Sequence, residues 1–351
     1  MKSTITATAI VAATLLAAAA YLNVEQTATR KHQVPLASEM KFKSWMTTHE
    51  KEYNSPSEYQ YRLEIFHKKL LKIEEVNSSQ NDYEFGINKF SDLTSEEFVA
   101  KYTDGGQFSE ASEIEMVELP EGQSPAKQLS QSSGGVVVDW RRQGYVGPIR
   151  DAGECQAYYS FAAVDAIEFS YAQRTGGYTE LSKQQIIDCA GGYLAHGCSS
   201  GSTLGALKYV IAKGLATEIN YPYVQRTQNC NYNPQTAAER VRHWYGIRPY
   251  SGNQLESAVN HSVVSVKVNA RYLQDYKGGI YTGSCSPLIN NSCSIVGYGS
   301  QDGVDYWIVR MSYGTGYGIN GYLKIQKILG ALNSGKCGIN SLGYWATWNP
   351  K

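Results

Sequence analysis

Apolar residues recur at helical spacing in two parts of the chain and at strand spacing in two others. Between residues 38 and 78, Phe42, Trp45 and Met46 fall at i, i+3 and i+4, and Tyr61, Ile65, Phe66, Leu70, Ile73 and Val76 share one face. That spacing predicts helix, with Ser57 before Glu58 as the cap region and Pro56 just outside it. A second helical run, Phe161, Val164, Ile167 and Phe169, follows a short polar turn that carries Cys155. Alternation around 262–268 and 306–324 predicts strands. Helices thus dominate the earlier part and sheet the later part, an α+β pattern.

Two stretches fit neither period. Residues 1–20 carry Lys2, then an uncharged run from Ile5 ending in four alanines, Ala17 to Ala20. This is a secretory signal pattern, and the run is short and rich in alanine and threonine beside the roughly 20 apolar residues a membrane span needs. From Lys101 to Gly135 the chain turns polar, with Gly105-Gly106, Ser130, Ser132, Ser133 and Gly134-Gly135. It reads as an exposed linker, 101–134, where a maturation cut would fall.

The 351 residues allow two or three domains, and 42% hydrophobic content provides for a sizeable core. A formal net charge of zero gives no reason to expect nucleic acid or an acidic membrane as partner. All seven cysteines follow residue 150 without a CxxC pair, so neither a structural zinc nor another metal or cofactor is expected. Secretory entry makes disulfides their natural state. Tyrosine is frequent, at 27.

The start of a helix is where backbone N–H groups lack partners and the helix dipole is positive, so a thiol there is activated. Cys155-Gln-Ala-Tyr158-Tyr159 resembles the papain signature Cys-Gly-Ser/Ala-Cys-Trp/Tyr, with a tyrosine in the nucleophile's place. Upstream, Glu58, Arg62, Phe66, Ile73 and Asn77 resemble the interspersed pro-region motif of papain-like proteases, with Lys69 where that motif has asparagine. Gly86-Ile-Asn88-Lys-Phe90-Ser-Asp92 resembles the second pro-region motif throughout. Further landmarks follow in family order: Val138-Asp139-Trp140-Arg141, Leu181-Ser182, Asp188-Cys189, Gly197-Cys198-Ser-Ser-Gly201, Tyr221-Pro222-Tyr223, Val296-Gly297-Tyr298-Gly299 and Gly314-Thr-Gly316-Tyr-Gly318.

The resemblance covers roughly residues 38–350 and implies a two-lobed α+β fold, one lobe helical and the other β-barrel-like, behind a helical, cathepsin L-like inhibitor pro-region at 38–100 and with the peptidase-type domain at 135–351. It implies that the pro-region is a partner of the mature domain, laid backwards through the substrate cleft. It also implies the pairs Cys155–Cys198, Cys189–Cys230 and Cys285–Cys337; sequence alone leaves fifteen connectivities for six cysteines. Cys293 is left over, either a small buried hydrophobe or, on the same strand face as Asn291, a thiol looking into the cleft.

Papain-type chemistry needs a thiolate nucleophile, an imidazole, an amide that orients it and a glutamine at the oxyanion. Carried over residue by residue, the glutamine falls on Ala152, the cysteine on Tyr158, the histidine on Asn291 and the asparagine of Asn-Ser-Trp-Gly on Met311. Asn291 and Met311 lie about 130–150 residues past Tyr158, the separation expected for that histidine and asparagine. A phenol of ordinary pKa near 10 is a poor acyl-transfer nucleophile, and the Tyr158 ring is expected to fill the scissile carbonyl's space. Loss of one triad member costs on the order of 10⁶-fold in subtilisin. His196 lies nearest the cleft by resemblance, so a rebuilt Cys293–His196 pair is the one substitute mechanism. Three family tryptophans stand as Tyr159, Tyr313 and Tyr317, which with Gly201 and Cys293 are the cleft candidates. Sequons occur at Asn77, Asn260 and Asn290.

The favoured expectation is therefore a secreted or lysosomal/vacuolar pseudoprotease, monomeric, binding a peptide, inhibitor or protein without cutting it. The alternatives are an active endopeptidase using rearranged groups, and a storage or structural protein on an inherited fold.

Overall fold

A computed structural model describes residues 34–104 and 135–348. The expected signal peptide and all but four residues of the expected linker lie outside them. The chain falls into two compact units, one ending at Leu70 and the other beginning at Leu71.

In the first unit, helix α1 (Leu36–Thr48) precedes α2, which begins at Pro56 and runs on to Ser79. Phe42, Trp45, Leu63 and Phe66 form its core, with Phe42 and Phe66 in ring contact at 5.2 Å. The two apolar runs of residues 38–78 are thus two separate helices. Glu50 takes the left-handed conformation (φ 51°), and Pro56 biases Ser55 away from helix. The cap also differs from expectation. Ser55 Oγ accepts the Glu58 N–H at 3.2 Å, and Pro56 is the first helical residue, where its missing N–H costs nothing.

The second unit opens with strand β1 (Tyr83–Phe85) and helix α3 (Ser95–Tyr102), followed by β2 (Gly135–Asp139). Helix α3 starts on a capping box. Thr94 Oγ1 accepts the Glu97 N–H at 3.1 Å, and Glu97 Oε2 accepts the Thr94 N–H at 2.9 Å. The helical lobe then comprises α4 (Tyr158–Thr175), α5 (Lys183–Cys189) and α6 (Thr203–Lys213). The sheet lobe contains β3 (His243–Gly246), α7 (Gly252–Val259), β4 (Val264–Val268), β5 (Tyr276–Gly279), β6 (Asn291–Gln301), β7 (Val304–Arg310), β8 (Tyr322–Gln326) and β9 (Gly343–Thr347).

Strands run in the order β3-β9-β4-β6-β7-β8, and β2 joins β6 beyond the stretch that β4 covers. All the pairings are antiparallel. Helix α4 packs on α5 and α6 on one side and on β4, β6 and β9 on the other. Accordingly most of its residues are buried, not one stripe. Phe161 joins the sheet-lobe core with Val264, Ile295, Trp307 and Leu323, while Val164 and Ile167 join the helical-lobe core with Leu204 and Leu207. Gly176 ends the helix in the left-handed region (φ 83°), its N–H returning to the Ala172 carbonyl.

Disulfides link Cys155–Cys198, Cys189–Cys230 and Cys285–Cys337 across separations of 43, 41 and 52 residues. In the chain-entropy model each such loop contributes about 4 kcal/mol. Among the described residues no helix is long and apolar enough to cross a membrane, and no group of His, Cys, Asp and Glu is arranged to hold a metal ion.

Candidate functional site at the start of the central helix

Helix α4 begins without a side-chain cap, because the residue before it is Ala157. Its first N–H groups therefore need acceptors from elsewhere. The pro-segment provides one. Asp104 Oδ1 accepts the Tyr159 N–H at 2.9 Å. Its other oxygen accepts the Ser292 N–H at 2.7 Å and the Ser292 hydroxyl at 2.6 Å, and Lys267 Nζ stands 3.6 Å away. Lys267 and Ser292 are directly opposed in the β4–β6 ladder, which puts both side chains on one sheet face. Asp104 also donates its own N–H to the Asn290 carbonyl at 3.0 Å. Asp104, Lys267 and Ser292 are all buried.

Residues 101–104 thus depart from the exposed linker expected there. Lys101 and Tyr102 complete α3, and Thr103 and Asp104 are 1% and 2% exposed. Sequence reasoning missed Asp104, Ser292 and Lys267 as site residues. No spacing motif joins three residues from a pro-segment and two strands, and the only available hint was an uncapped helix start.

The pro-segment is clamped further back. The Asn88 side chain donates to the Gln274 carbonyl at 2.8 Å, and Gln274 donates to the carbonyls of Phe90 and Leu93 at 3.1 and 3.0 Å. Strand β1 pairs with β5, Tyr83 opposite Gly279. Tyr313 donates its hydroxyl to the Tyr102 carbonyl at 2.8 Å, and Gln156 donates to the Ala100 carbonyl. Phe90 meets the Tyr313 ring edge-on at 5.2 Å.

Tyr158, the first residue of α4, is wholly buried. Its ring lies edge-to-face with Tyr313 at 5.4 Å, and Tyr313 in turn with Tyr317 at 5.1 Å. Its hydroxyl reaches the Gly153 carbonyl only at 3.4 Å. Burial first, then the negative charge of Asp151, pushes the phenol well above its ordinary range. Burial does the same to Tyr313 and Tyr317. Tyr317 donates to the Leu273 carbonyl at 2.9 Å.

Ala152 and Met311 share the apolar cluster of Tyr158. Asn291 opens β6; its amide is fully buried, and neither its nitrogen nor its oxygen has a hydrogen-bond partner among the described residues. Asn291 at the start of β6 and Met311 just after β7 lie at the same end of that strand pair, where Ser294 opposes Arg310.

The cleft candidates need correction. Cys293 does not face an open cleft: it is 2% exposed, opposes Val266 and packs in the sheet-lobe core. Burial, with the nearby negative charges of Asp104 and Asp165, pushes its thiol up and away from the reactive thiolate. His196 is exposed in the loop carrying Cys198, so the two differ in burial in a way that does not suit an ion pair. Tyr159 turns away from the other tyrosines into the helical-lobe core. Its ring covers Gly201, where an added Cβ would meet it at 2.5 Å, and its hydroxyl donates to the Gly197 carbonyl at 3.0 Å. The tyrosines therefore do not line one exposed groove: all are buried, and Tyr313 packs against Phe90 and Phe98 of the pro-segment.

The sequon asparagines are all engaged. Asn77 clasps Phe85, donating to its carbonyl and accepting its N–H, both at 2.9 Å. Asn260 accepts the Tyr298 hydroxyl at 2.8 Å, and Asn290 accepts the Ala270 N–H at 2.8 Å.

The model of the papain family cysteine proteases matches residues 136–347, and that of the cathepsin propeptide inhibitor domain matches residues 42–98. Papaya proteinase 4 of Carica papaya is 34% identical over 320 residues, 88% of this chain and 86% of the relative. A cathepsin L-like proteinase of Fasciola hepatica is 34% identical over 309 residues, 85% and 90% of the two chains. Among solved structures, a recombinant stem bromelain precursor superposes with a TM-score of 0.79 at 30% identity, over 90% of this chain and all of that one. Digestive procathepsin L 3 from the larval midgut of Tenebrio molitor gives 0.76 at 29%, over 88% and 99%. Family models, relatives and proforms agree with the two-lobed α+β domain and the pro-segment seated on it: the chain belongs to the papain family of cysteine proteases and carries that family's inhibitory pro-region.

Proposed function

We propose that this chain is a non-cleaving member of its family, a secretory-pathway scaffold whose function is to bind a peptide or protein. The observation that carries the reading is Tyr158. At the position that aligns with the family's nucleophile, the first residue of α4 is a buried tyrosine whose phenol is held strongly protonated. A protonated phenol with no imidazole beside it has no route to an acyl intermediate. The aligned histidine, asparagine and glutamine positions hold Asn291, Met311 and Ala152, none of which shuttles a proton. Cys293, a thiol pushed up by burial, does not replace the nucleophile. The signal-peptide pattern of residues 1–20 supports entry into the secretory pathway, to the exterior or a lysosome or vacuole.

The test has two arms. Purified full-length chain, held at acid pH without added protease, stays intact; shortening within residues 105–134 would sink the reading. After an added protease nicks that stretch, an epoxysuccinyl peptide probe leaves every cysteine unlabelled, whereas labelling of Cys293 would restore the active-peptidase alternative.

A further inference from the structure

The carboxylate of Asp104 is seated in a pocket built by four donors: the Tyr159 N–H, the Ser292 N–H, the Ser292 hydroxyl and the ammonium of Lys267. More than a helix terminus is involved. A carboxylate already occupies the pocket, and two buried side chains from adjacent strands converge on it in register. Its chemistry is also selective. Each oxygen of Asp104 accepts from a backbone N–H, so an amide of the same shape would set its NH₂ against a donor on one side or the other. A buried ammonium adds preference for a full negative charge.

We propose that this pocket is a carboxylate receptor in its own right, occupied by Asp104 in the proform and available to the acidic group of a peptide ligand when residues 71–104 vacate it. The ligand half of the proposal rests on the binding reading above; the receptor half does not. The shared chemistry is a carboxylate, from an aspartate side chain or from a peptide's free C-terminus.

In the full chain, Asp104→Ala removes the carboxylate and leaves the rest of the segment in place. Sodium acetate, titrated against sodium chloride at equal ionic strength, is expected to raise the Tm of D104A saturably by about 2–4 °C. Wild type and D104A/K267M should show no such rise. No rise in D104A, or the same rise in all three proteins, overturns the receptor. If D104A does not fold, the isosteric D104N replaces it. Its residues 71–104 should be lost to added protease roughly tenfold faster than in wild type, one factor of ten being the expected loss of about one charge-assisted bond; equal rates overturn the proposal. The source of the carboxylate is read on chain nicked within 105–134, with a fluorescent amidated peptide of the Phe98–Asp104 sequence as tracer. Competitors carrying either an internal aspartate or a free C-terminus, but not their amide counterparts, should displace it. Displacement by neither removes the ligand half. Acetate binding reads the same whether or not the chain cuts peptides, so peptidase turnover would sink the non-cleaving reading and leave the receptor standing.

Discussion

At the residue scale, Tyr158 packs more than it bonds. Its hydroxyl contact is long, at 3.4 Å, while its ring is enclosed by the sheet-lobe core and by Tyr313. Tyr158→Phe is therefore expected to cost at most about 1 kcal/mol, the net worth of one ordinary hydrogen bond. Tyr158→Ala should cost roughly 3–5 kcal/mol through the cavity it leaves. Urea unfolding of the two variants decides the matter, since equal losses would mean that the hydroxyl and not the ring is what the fold uses. Tyr158→Cys should restore no peptidase turnover while Asn291 and Met311 stand at the other aligned positions, and turnover of a fluorogenic peptide by that single variant would refute the argument. The tyrosine within a stretch that resembles the papain signature was legible from the sequence; the burial of its ring is what the structure adds. The isolation of Cys293 was not legible. Strand alternation correctly puts Cys293 and Asn291 on one face, but which face looks outward is decided by what packs there, and here that is core.

At the element scale, the same limit hid the Asp104 pocket. In β4, valines at 264, 266 and 268 alternate with Ser265 and Lys267, which by pattern alone reads as a half-exposed strand. The whole strand is buried. Ser265 donates to the Ala162 carbonyl of α4, and Lys267 faces Asp104. The polar face is covered by a helix and by a segment more than 150 residues away in sequence, information no local period contains. The two pro-region helices, the start of the second near residue 57, and α4 were legible in apolar spacing and cap residues. Helices α3, α5, α6 and α7 were not read individually, because they are short and their apolar faces are defined by tertiary packing. Helix α3 offers a direct check of how the pro-segment is held. Its capping box satisfies two backbone donors at once, so Thr94→Ala should cost about 1 kcal/mol. Because α3 leads into Asp104 two residues past its end, the loss should appear as faster amide exchange over residues 95–104, with β6 and β7 unchanged. Uniform protection loss across the molecule would instead mean that α3 unfolds only with the whole.

At the scale of the whole molecule, the number of tyrosines becomes a statement about pH. The chain buries many of them, and burial raises their phenols in both lobes: Tyr209 in the helical-lobe core and Tyr298 in the sheet-lobe core are each pushed up to about 12, and Tyr158, Tyr313 and Tyr317 are raised well above their ordinary range. In the unfolded chain the same groups titrate near 10. Above that value the unfolded state has released protons that the folded state still holds, so stability falls as pH rises. Below about 10 both states are protonated and these phenols contribute no slope. The loss therefore begins near pH 10 and continues to about 12, where Tyr209 and Tyr298 ionise in the folded state. Many sites act together, so the transition should be cooperative, with phenolate absorbance near 295 nm rising in step with the loss of near-ultraviolet circular dichroism. Phenolate that accumulates gradually from pH 10 while the dichroism persists would show the tyrosines to be reached by solvent in the folded chain. That outcome would remove the physical basis for treating the start of α4 as a sealed site.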